Sequence, residues 1–441
     1  MINTLKNMTI FNFKDFQNNA LSIGILLFVF IRVFVWIQFD FSYSLFNCQE
    51  GQCGDSYYYI DVARNIFNLG THVTHVEGPT DNYSYRAPLY SYFLAGLLQL
   101  NIEINALNIY IINSLILFSS YLISYLLIKD INPRVSSVIF ILLCLSPFDA
   151  VYNGRVLSEN LLSPLLLLSL VLLLFFHKRA FYGYILPGIF LGFTALTKDI
   201  FLLLPFFIVV FMLIQKSQLK YIALFFLSYC CVISPWVVRN ATLPSDSFVG
   251  VSKGIMWTNL WVGTWLRDDL SLSSAVKSGF IEEDQLELFN EKSENRLFEQ
   301  SFFRIQTIDN LTNKTFQVIG NWMYRIPKMW VGTRTDLFKM KFDSSSISWY
   351  LSKLSFFALN SVVLILVIPL LVFGLMRKDR ASFLVSIFTL YLLLIYMPFY
   401  NLETRYSQPV LGIIIFYIGF SEKIFKGFLR NIGLLFKRNR K

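Results

Sequence analysis

Long apolar runs, each closed by charge or by proline and glycine, alternate with short polar turns along most of the chain. A helix needs about 20 apolar residues to cross the hydrocarbon of a bilayer. The runs at 20–39, 105–128, 135–152, 159–176, 182–197, 200–214, 221–238, 354–376, 381–400 and 407–420 predict ten membrane-spanning helices. Those at 182–197, 200–214 and 407–420 are short, which longer true boundaries or local bilayer thinning would accommodate. The segment 88–100 (PLYSYFLAGLLQL) is apolar but too short to span, so it predicts a helix lying in the interface. Counting it as a span would put every later basic turn on the opposite side.

With that choice the charges sort by side. The turns and ends at 1–19, 129–134, 177–181, 215–220, 377–380 and 421–441 hold 18 Lys/Arg and 4 Asp/Glu. The loop 40–104 holds 2 basic and 7 acidic residues, and the loop 239–353 holds 14 basic and 13 acidic. Short basic loops stay inside during insertion, so the pattern predicts a multi-pass plasma-membrane protein with both termini cytoplasmic and two large extracytoplasmic regions. The first apolar run lacks a small-residue cleavage site and reads as an anchor rather than a signal peptide. Residues 281–306, with Leu286, Phe289, Leu297 and Phe298 among charges, predict an amphipathic helix in the second region.

Composition sharpens the class. Hydrophobic residues make up 55 %, charged residues 15 %, and Phe alone occurs 45 times. A soluble domain carries about 25 % charge, so the expectation is an all-α polytopic membrane protein whose surroundings are lipids, with no nucleic-acid partner. Neither a phosphate-cradling glycine loop nor a dinucleotide fingerprint nor a paired CxxC is present. Cys48 and Cys53 could bridge in an oxidising compartment or stand as two thiols; Cys144, Cys230 and Cys231 read as packing residues within spans.

The chemistry-bearing residues cluster outside the spans. Residues 56–69 suit an amphipathic helix whose N-cap would be Asp55. His72, His75, Glu77 and Asp81 follow; the intervening Val and Thr and the Gly78-Pro79 pair favour a solvated loop over a metal site. Arg86 precedes the interfacial segment, where it could snorkel to headgroups or hold a lipid phosphate. Arg155 and Glu159 flank a tight turn, Lys198 and Asp199 break two apolar runs, Arg239 follows Pro235-Trp236, and Glu403 and Arg405 lie in NLETRYSQP. All fall at the predicted outer ends of helices. Charges at such depth are costly and mark function or salt-bridged turns. Arg32, in mid-span, needs a carboxylate or lipid-phosphate partner.

Taken in order, GDSYYYIDVARNIFNLG (54–70), YRAPLYSYFLAGLLQL (85–100), RVLSENLLSPLLLL (155–168), FTALTKDIFLLLP (193–205), SPWVVRNATLPSDSFVGVSKG (234–254), NLWVGTW (259–265) and ETRYSQP (403–409) resemble the GT-C superfamily of polytopic glycosyltransferases. The resemblance spans roughly 20–410 and is nearest the bacterial relatives of protein O-mannosyltransferases and aminoarabinose transferases. It implies a GT-C fold and inverting transfer of a sugar from a polyprenyl-phosphate carrier to a lipid, glycan or protein acceptor outside the cytoplasm. It implies Asp55 as catalytic base and Glu159 as a partner of acceptor or metal. Lys198, with Arg86 and Arg405, matches positions near the donor phosphate. Tyr58, Arg155, Glu403 and Arg239 are candidate sugar or acceptor contacts. Metal use varies among such relatives, so a divalent ion with His72, His75 and Glu77 as ligands stays open, and no other cofactor is expected. The competing class is a transporter or flippase of a lipid-linked sugar, against which the absence of an internal repeat and the helix-end placement of the charges argue. A third reading is an oligosaccharide ligase of the same superfamily.

Overall fold

The computed structural model describes residues 13–41, 55–74, 86–130, 133–176, 181–243, 248–254, 256–267, 271–294, 299–331, 341, 346–351, 353–355, 357–358, 361, 380–399 and 412–415. Among these residues the fold is all helical, with no strand. His75, Glu77, Glu403, Arg405, Cys48, Cys53 and the basic tail lie outside them, as do most of the runs 354–376 and 407–420.

Helices stand at the other eight predicted runs. Three are long and apolar enough to cross a membrane: Asn19–Gln38, Ala106–Lys129 and Leu219–Ala241. The run 135–152 is not one straight span. It forms Pro133–Cys144 and Pro147–Asn153, bent by 48° at the break. Pro147 lacks the N–H that would continue the first helix, and it sits instead at the first turn of the second, with Ser146 as its N-cap. Glu159–Phe176, Ile185–Thr197, Leu204–Ile214 and Arg380–Tyr396 are shorter apolar helices.

These helices share one apolar core. It runs from Tyr121 and Phe140 through Leu166 and Leu170 to Phe201, Phe211, Phe225 and Tyr391. Lipid tails are as apolar as leucine, so helices in a membrane are held by close packing rather than by water exclusion. Ile185–Thr197 and Leu219–Ala241 illustrate this. A β-carbon added to Gly188 would lie 2.0 Å from Ser228 Oγ, and one on Gly192 would lie 2.6 Å from Val232 Cβ. Leu26, Phe30, Val33 and Ile37 face outward from the first helix, as a lipid-facing surface requires.

Arg32 has partners within the bundle. Its Nη1 reaches the Ser146 carbonyl at 3.4 Å, its guanidinium lies 3.8 Å from the Phe28 ring centroid, and Arg32 and Asp149 both lie within electrostatic reach of Tyr121. The helix break at 145–146 thus leaves a carbonyl for the cation, and Tyr121 donates to Asp149 Oδ2 at 2.7 Å.

Two smaller assemblies flank the bundle. Asp55–Leu69 and Leu89–Gln99 pack through Tyr59, Ile60, Ala63, Tyr90 and Leu94, with Val156 in the same cluster. The second lies within 239–353 and is built on Trp261, Trp265, Phe280, Phe289, Phe303 and Val318. Burying such large side chains stabilises by roughly 1.5–3 kcal/mol each relative to water. The helix expected over 281–306 is divided. Leu286–Glu294 ends before Gln300–Asn313 begins, and Phe289 and Phe303 reach the same core from separate helices.

Candidate functional site

Asp55 and Glu159 each open a helix, Asp55–Leu69 and Glu159–Phe176 respectively. The unpaired N–H groups of a helix start favour a carboxylate there. Each carboxylate also meets a cation supplied from elsewhere in the chain.

Arg86 Nη2 donates to Asp55 Oδ1 at 2.6 Å across 31 residues of sequence. The connection works because Leu89–Gln99 starts beside the start of Asp55–Leu69, with Tyr59 and Tyr90 in edge-to-face contact at 5.1 Å. The Arg86 guanidinium also lies 5.7 Å from the ring centroid of buried Tyr58. This pair is partly open to solvent, with side chains 32 % and 25 % exposed. A pair so exposed contributes no more than about 1 kcal/mol to stability.

Lys198 Nζ donates to Glu159 Oε1, also at 2.6 Å. Here a helical hairpin makes the meeting. Glu159–Phe176 and Ile185–Thr197 pack together, and the second returns its C-terminal end to the first one's start. A cation at a helix C-terminus is favourable for the same reason as an anion at an N-terminus. Lys198 itself is extended (φ −152°, ψ 114°), between that helix and the short turn Asp199–Phe201. The Glu159 side chain is only 3 % exposed and that of Lys198 19 %. Ser158 Oγ donates to the second carboxylate oxygen at 3.2 Å.

Tyr59 is within reach of both pairs. It is buried, and Arg86, Asp55 and Glu159 all act on it electrostatically, with Ser158 beside its hydroxyl. Burial raises its pKa most, Arg86 opposes, and the two carboxylates add to the rise. The hydroxyl therefore stays protonated and serves as a hydrogen-bonding group. Asp55 and Glu159 thus both fall within electrostatic reach of one residue, Tyr59. Nothing in the sequence singled out Tyr59 from the neighbouring Tyr57 and Tyr58. Only helical periodicity marked the inward face.

The Glu159 turn is held by amide side chains. Asn160 Nδ2 donates to the carbonyls of Tyr152 at 3.1 Å and Arg155 at 2.7 Å, and Asn113 Nδ2 donates to that of Asn153 at 2.9 Å. Arg155 thus contributes its backbone to the turn. Gly154 has no alternative, because a β-carbon would lie 2.0 Å from the Phe41 ring. The Lys198 turn is tied from three sides. Ser252 donates to Asp199, Tyr391 donates to the Ile200 carbonyl, and Tyr229 donates to the Leu202 carbonyl at 2.8 Å. Lys198 Nζ lies 5.8 Å from the Tyr396 ring centroid.

Arg239 and His72 belong to a separate group. Arg239 stacks 4.5 Å above Trp236 and donates to the His72 carbonyl at 3.3 Å. The His72 ring is buried against Trp236 and Tyr92. Among the described residues, no three His, Cys, Asp or Glu side chains gather as a metal-binding group. Asp55 and Glu159 each face a cation, so these described residues do not by themselves fit a divalent ion.

Sequence reasoning also passed over Arg325. It is 3 % exposed, and Nη2 donates to the carbonyls of Gly263 at 2.6 Å and Met397 at 3.2 Å, while Nη1 donates to that of Phe399 at 3.1 Å. Burial lowers its pKa to about 10, which leaves it cationic at neutral pH. It joins the region 239–353 to the end of Arg380–Tyr396, whose last residue, Tyr396, is the ring beside Lys198.

Compared with solved structures, the chain is similar to the archaeal oligosaccharyltransferase AglB from Archaeoglobus fulgidus in complex with an inhibitory peptide and a dolichol-phosphate. The TM-score is 0.52 at 14 % identity, covering 94 % of this chain and 51 % of that one. The apo form of the Archaeoglobus fulgidus oligosaccharyltransferase gives 0.53 at 14 % identity, with the same coverage. Its complex with Zn and sulfate gives 0.52 at 15 %, covering 95 % and 51 %. The chain has a GT-C fold. It spans about half the length of these neighbours. No family model and no curated protein matches it. The GT-C fold and the span-capable helices together make this a membrane protein.

Proposed function

We propose that the chain is an inverting glycosyltransferase that moves a sugar from a polyprenyl-phosphate carrier to an acceptor hydroxyl on the extracytoplasmic side of the membrane. The observation that carries this reading is two carboxylate–cation pairs at helix ends, Asp55–Arg86 and Glu159–Lys198, whose carboxylates both act on Tyr59. One pair is partly open and the other is closed.

In this reading Asp55 is the base. Arg86 holds the carboxylate and the acceptor hydroxyl docks against it. The acceptor oxygen attacks the anomeric carbon, its proton passes to Asp55, and the bond from that carbon to the phosphate oxygen breaks on the opposite face. Polyprenyl phosphate leaves with the bonding pair. The Lys198 ammonium, anchored on Glu159, serves the departing phosphate, and Arg86 and Arg405 are proposed as further contacts to it. Cations held in place before the reaction lower the barrier because they meet the developing charge without having to reorganise. Glu159 holds the ammonium in place before the donor arrives. Tyr58, Arg155, Glu403 and Arg239 are proposed sugar or acceptor contacts, and His72, His75 and Glu77 are the residues to examine for any metal dependence.

The test is transfer by purified chain in proteoliposomes given radiolabelled polyprenyl-phosphate sugars and a panel of hydroxyl acceptors. Label moving onto an acceptor, and lost in D55N, supports the reading. Label that never leaves the carrier in any combination removes it.

A second reading is transfer of a whole lipid-linked oligosaccharide to a peptide. It is favoured by the fold likeness to oligosaccharyltransferases. Peptide acceptors in the same assay, with a lipid-linked oligosaccharide as donor, separate the two.

A further inference from the structure

The helix Thr315–Val331 is amphipathic the wrong way round for a helix bathed in water. A surface helix of a water-soluble domain turns its apolar stripe inward and its polar face outward. Here the inward positions are Val318, Asn321 and Arg325, which are 0 %, 8 % and 3 % exposed. The polar members are engaged in building the domain. Asn321 Nδ2 donates to the Thr264 carbonyl at 2.9 Å, beside the Arg325 bonds to Gly263 and Met397. The outward positions are Phe316, Ile319, Met323 and Tyr324. Phe316 is 92 % exposed and Met323 58 %. Their spacing of three, four and one residues keeps them on one stripe of the helix.

Charge and position point to one occupant. Apart from the inward-turned Arg325, the sequence from Lys314 to Val331 holds Lys314 and Lys328 and no acidic residue. Arg267 adds a guanidinium 4.6 Å from the Tyr324 ring centroid. Basic residues beside an apolar stripe suit an anionic lipid surface, and aromatic side chains such as Tyr324 are enriched at that level. The height of the helix is set by Arg325. On the opposite face of the same helix it holds carbonyls at the end of the apolar helix Arg380–Tyr396.

We propose that Thr315–Val331 lies on the anionic bilayer surface, with Phe316, Ile319 and Met323 sunk among the acyl-chain ends. The region containing it would then be moored to lipid directly as well as through its chain connections and the Arg325 bonds. This holds or fails independently of the transferase reading, because it requires only that the chain resides in a membrane.

The test uses the full chain with its five cysteines replaced. Single cysteines at Ile319, Met323 and, as a control, exposed Glu283 carry an environment-sensitive fluorophore. The labelled chains are reconstituted in phosphatidylglycerol–phosphatidylcholine liposomes, with and without doxyl-labelled lipid. All three positions are exposed, so labelling leaves the packed core intact. The expected result is blue-shifted emission and at least threefold stronger doxyl quenching at 319 and 323 than at 283, with the difference reduced when phosphatidylglycerol is omitted. Equal quenching at all three positions overturns the proposal. So does a blue shift at 319 and 323 that grows with the protein-to-lipid ratio while doxyl quenching stays at the control level. That result would assign the stripe to a second copy of the chain.

Discussion

Lys198 Nζ stands 2.6 Å from Glu159 Oε1, joining the end of one apolar helix to the start of its hairpin partner. The carboxylate is almost wholly buried. Removing one member of such a pair leaves an uncompensated buried charge and costs about 3–5 kcal/mol, whereas replacing both can be nearly neutral. K198M should therefore lower the unfolding temperature of the detergent-solubilised chain by several degrees, and K198M/E159Q should recover most of it. The charge-removing single change E159Q should be milder in stability yet still impair transfer. Thermal unfolding followed by circular dichroism checks the order. Equal destabilisation in the single K198M and double variants would mean that the pair is not coupled.

Gly154 lets the Glu159 turn pass beneath Phe41. Gly154→Ala places a methyl carbon 2.0 Å from the ring and should destabilise by about 1–3 kcal/mol, the usual range for overpacking. Truncating the ring should relieve it, so G154A/F41A should be less impaired relative to F41A than G154A is relative to the natural chain. A double-mutant cycle on unfolding temperature measures the coupling.

Tyr59 supplies a pH prediction with a definite sign. Its folded pKa lies above the ordinary phenol value of about 10. Below that value both folded and unfolded chains hold the proton, and the favourable burial of the neutral phenol is fully present. Above it the unfolded chain loses the proton while the folded chain keeps it, so stability falls as pH rises toward the folded value. Other tyrosines share this trend, so the diagnostic quantity is a difference. Y59F should lose less stability than the natural chain between pH 9 and pH 11. The same variant should retain the two ion pairs and show reduced transfer at pH 7, since only the hydroxyl beside Ser158 is removed.

Much of this architecture is readable from residue pattern, and the gaps have physical causes. The run 159–176 coincides with an observed helix because Glu159 supplies both its polar boundary and a carboxylate suited to a helix start. The run 135–152 misleads because hydropathy does not register that Pro147 breaks the hydrogen-bond ladder. Asp55 and Glu159 are candidates from their places in the chain. Their pairing with Arg86 and Lys198 is not legible there, because it depends on how segments 31 and 39 residues apart in sequence come to lie together. Tyr59 hides among three consecutive tyrosines. Arg325 hides because a lone basic residue in a mixed segment reads as solvated, whereas it is buried against backbone carbonyls.

Asp55 is where the functional account is most exposed to refutation. General-base assistance is worth about 100- to 10,000-fold, and Asp55→Asn preserves shape while removing the base. The decisive measurement is the single-turnover rate of sugar transfer from labelled polyprenyl-phosphate sugar in proteoliposomes, for the natural chain and D55N, alongside donor binding and unfolding temperature. A fall of at least 100-fold in D55N, with donor binding kept within about threefold and the unfolding temperature held, is the predicted result. Transfer by D55N at a rate near that of the natural chain would contradict it.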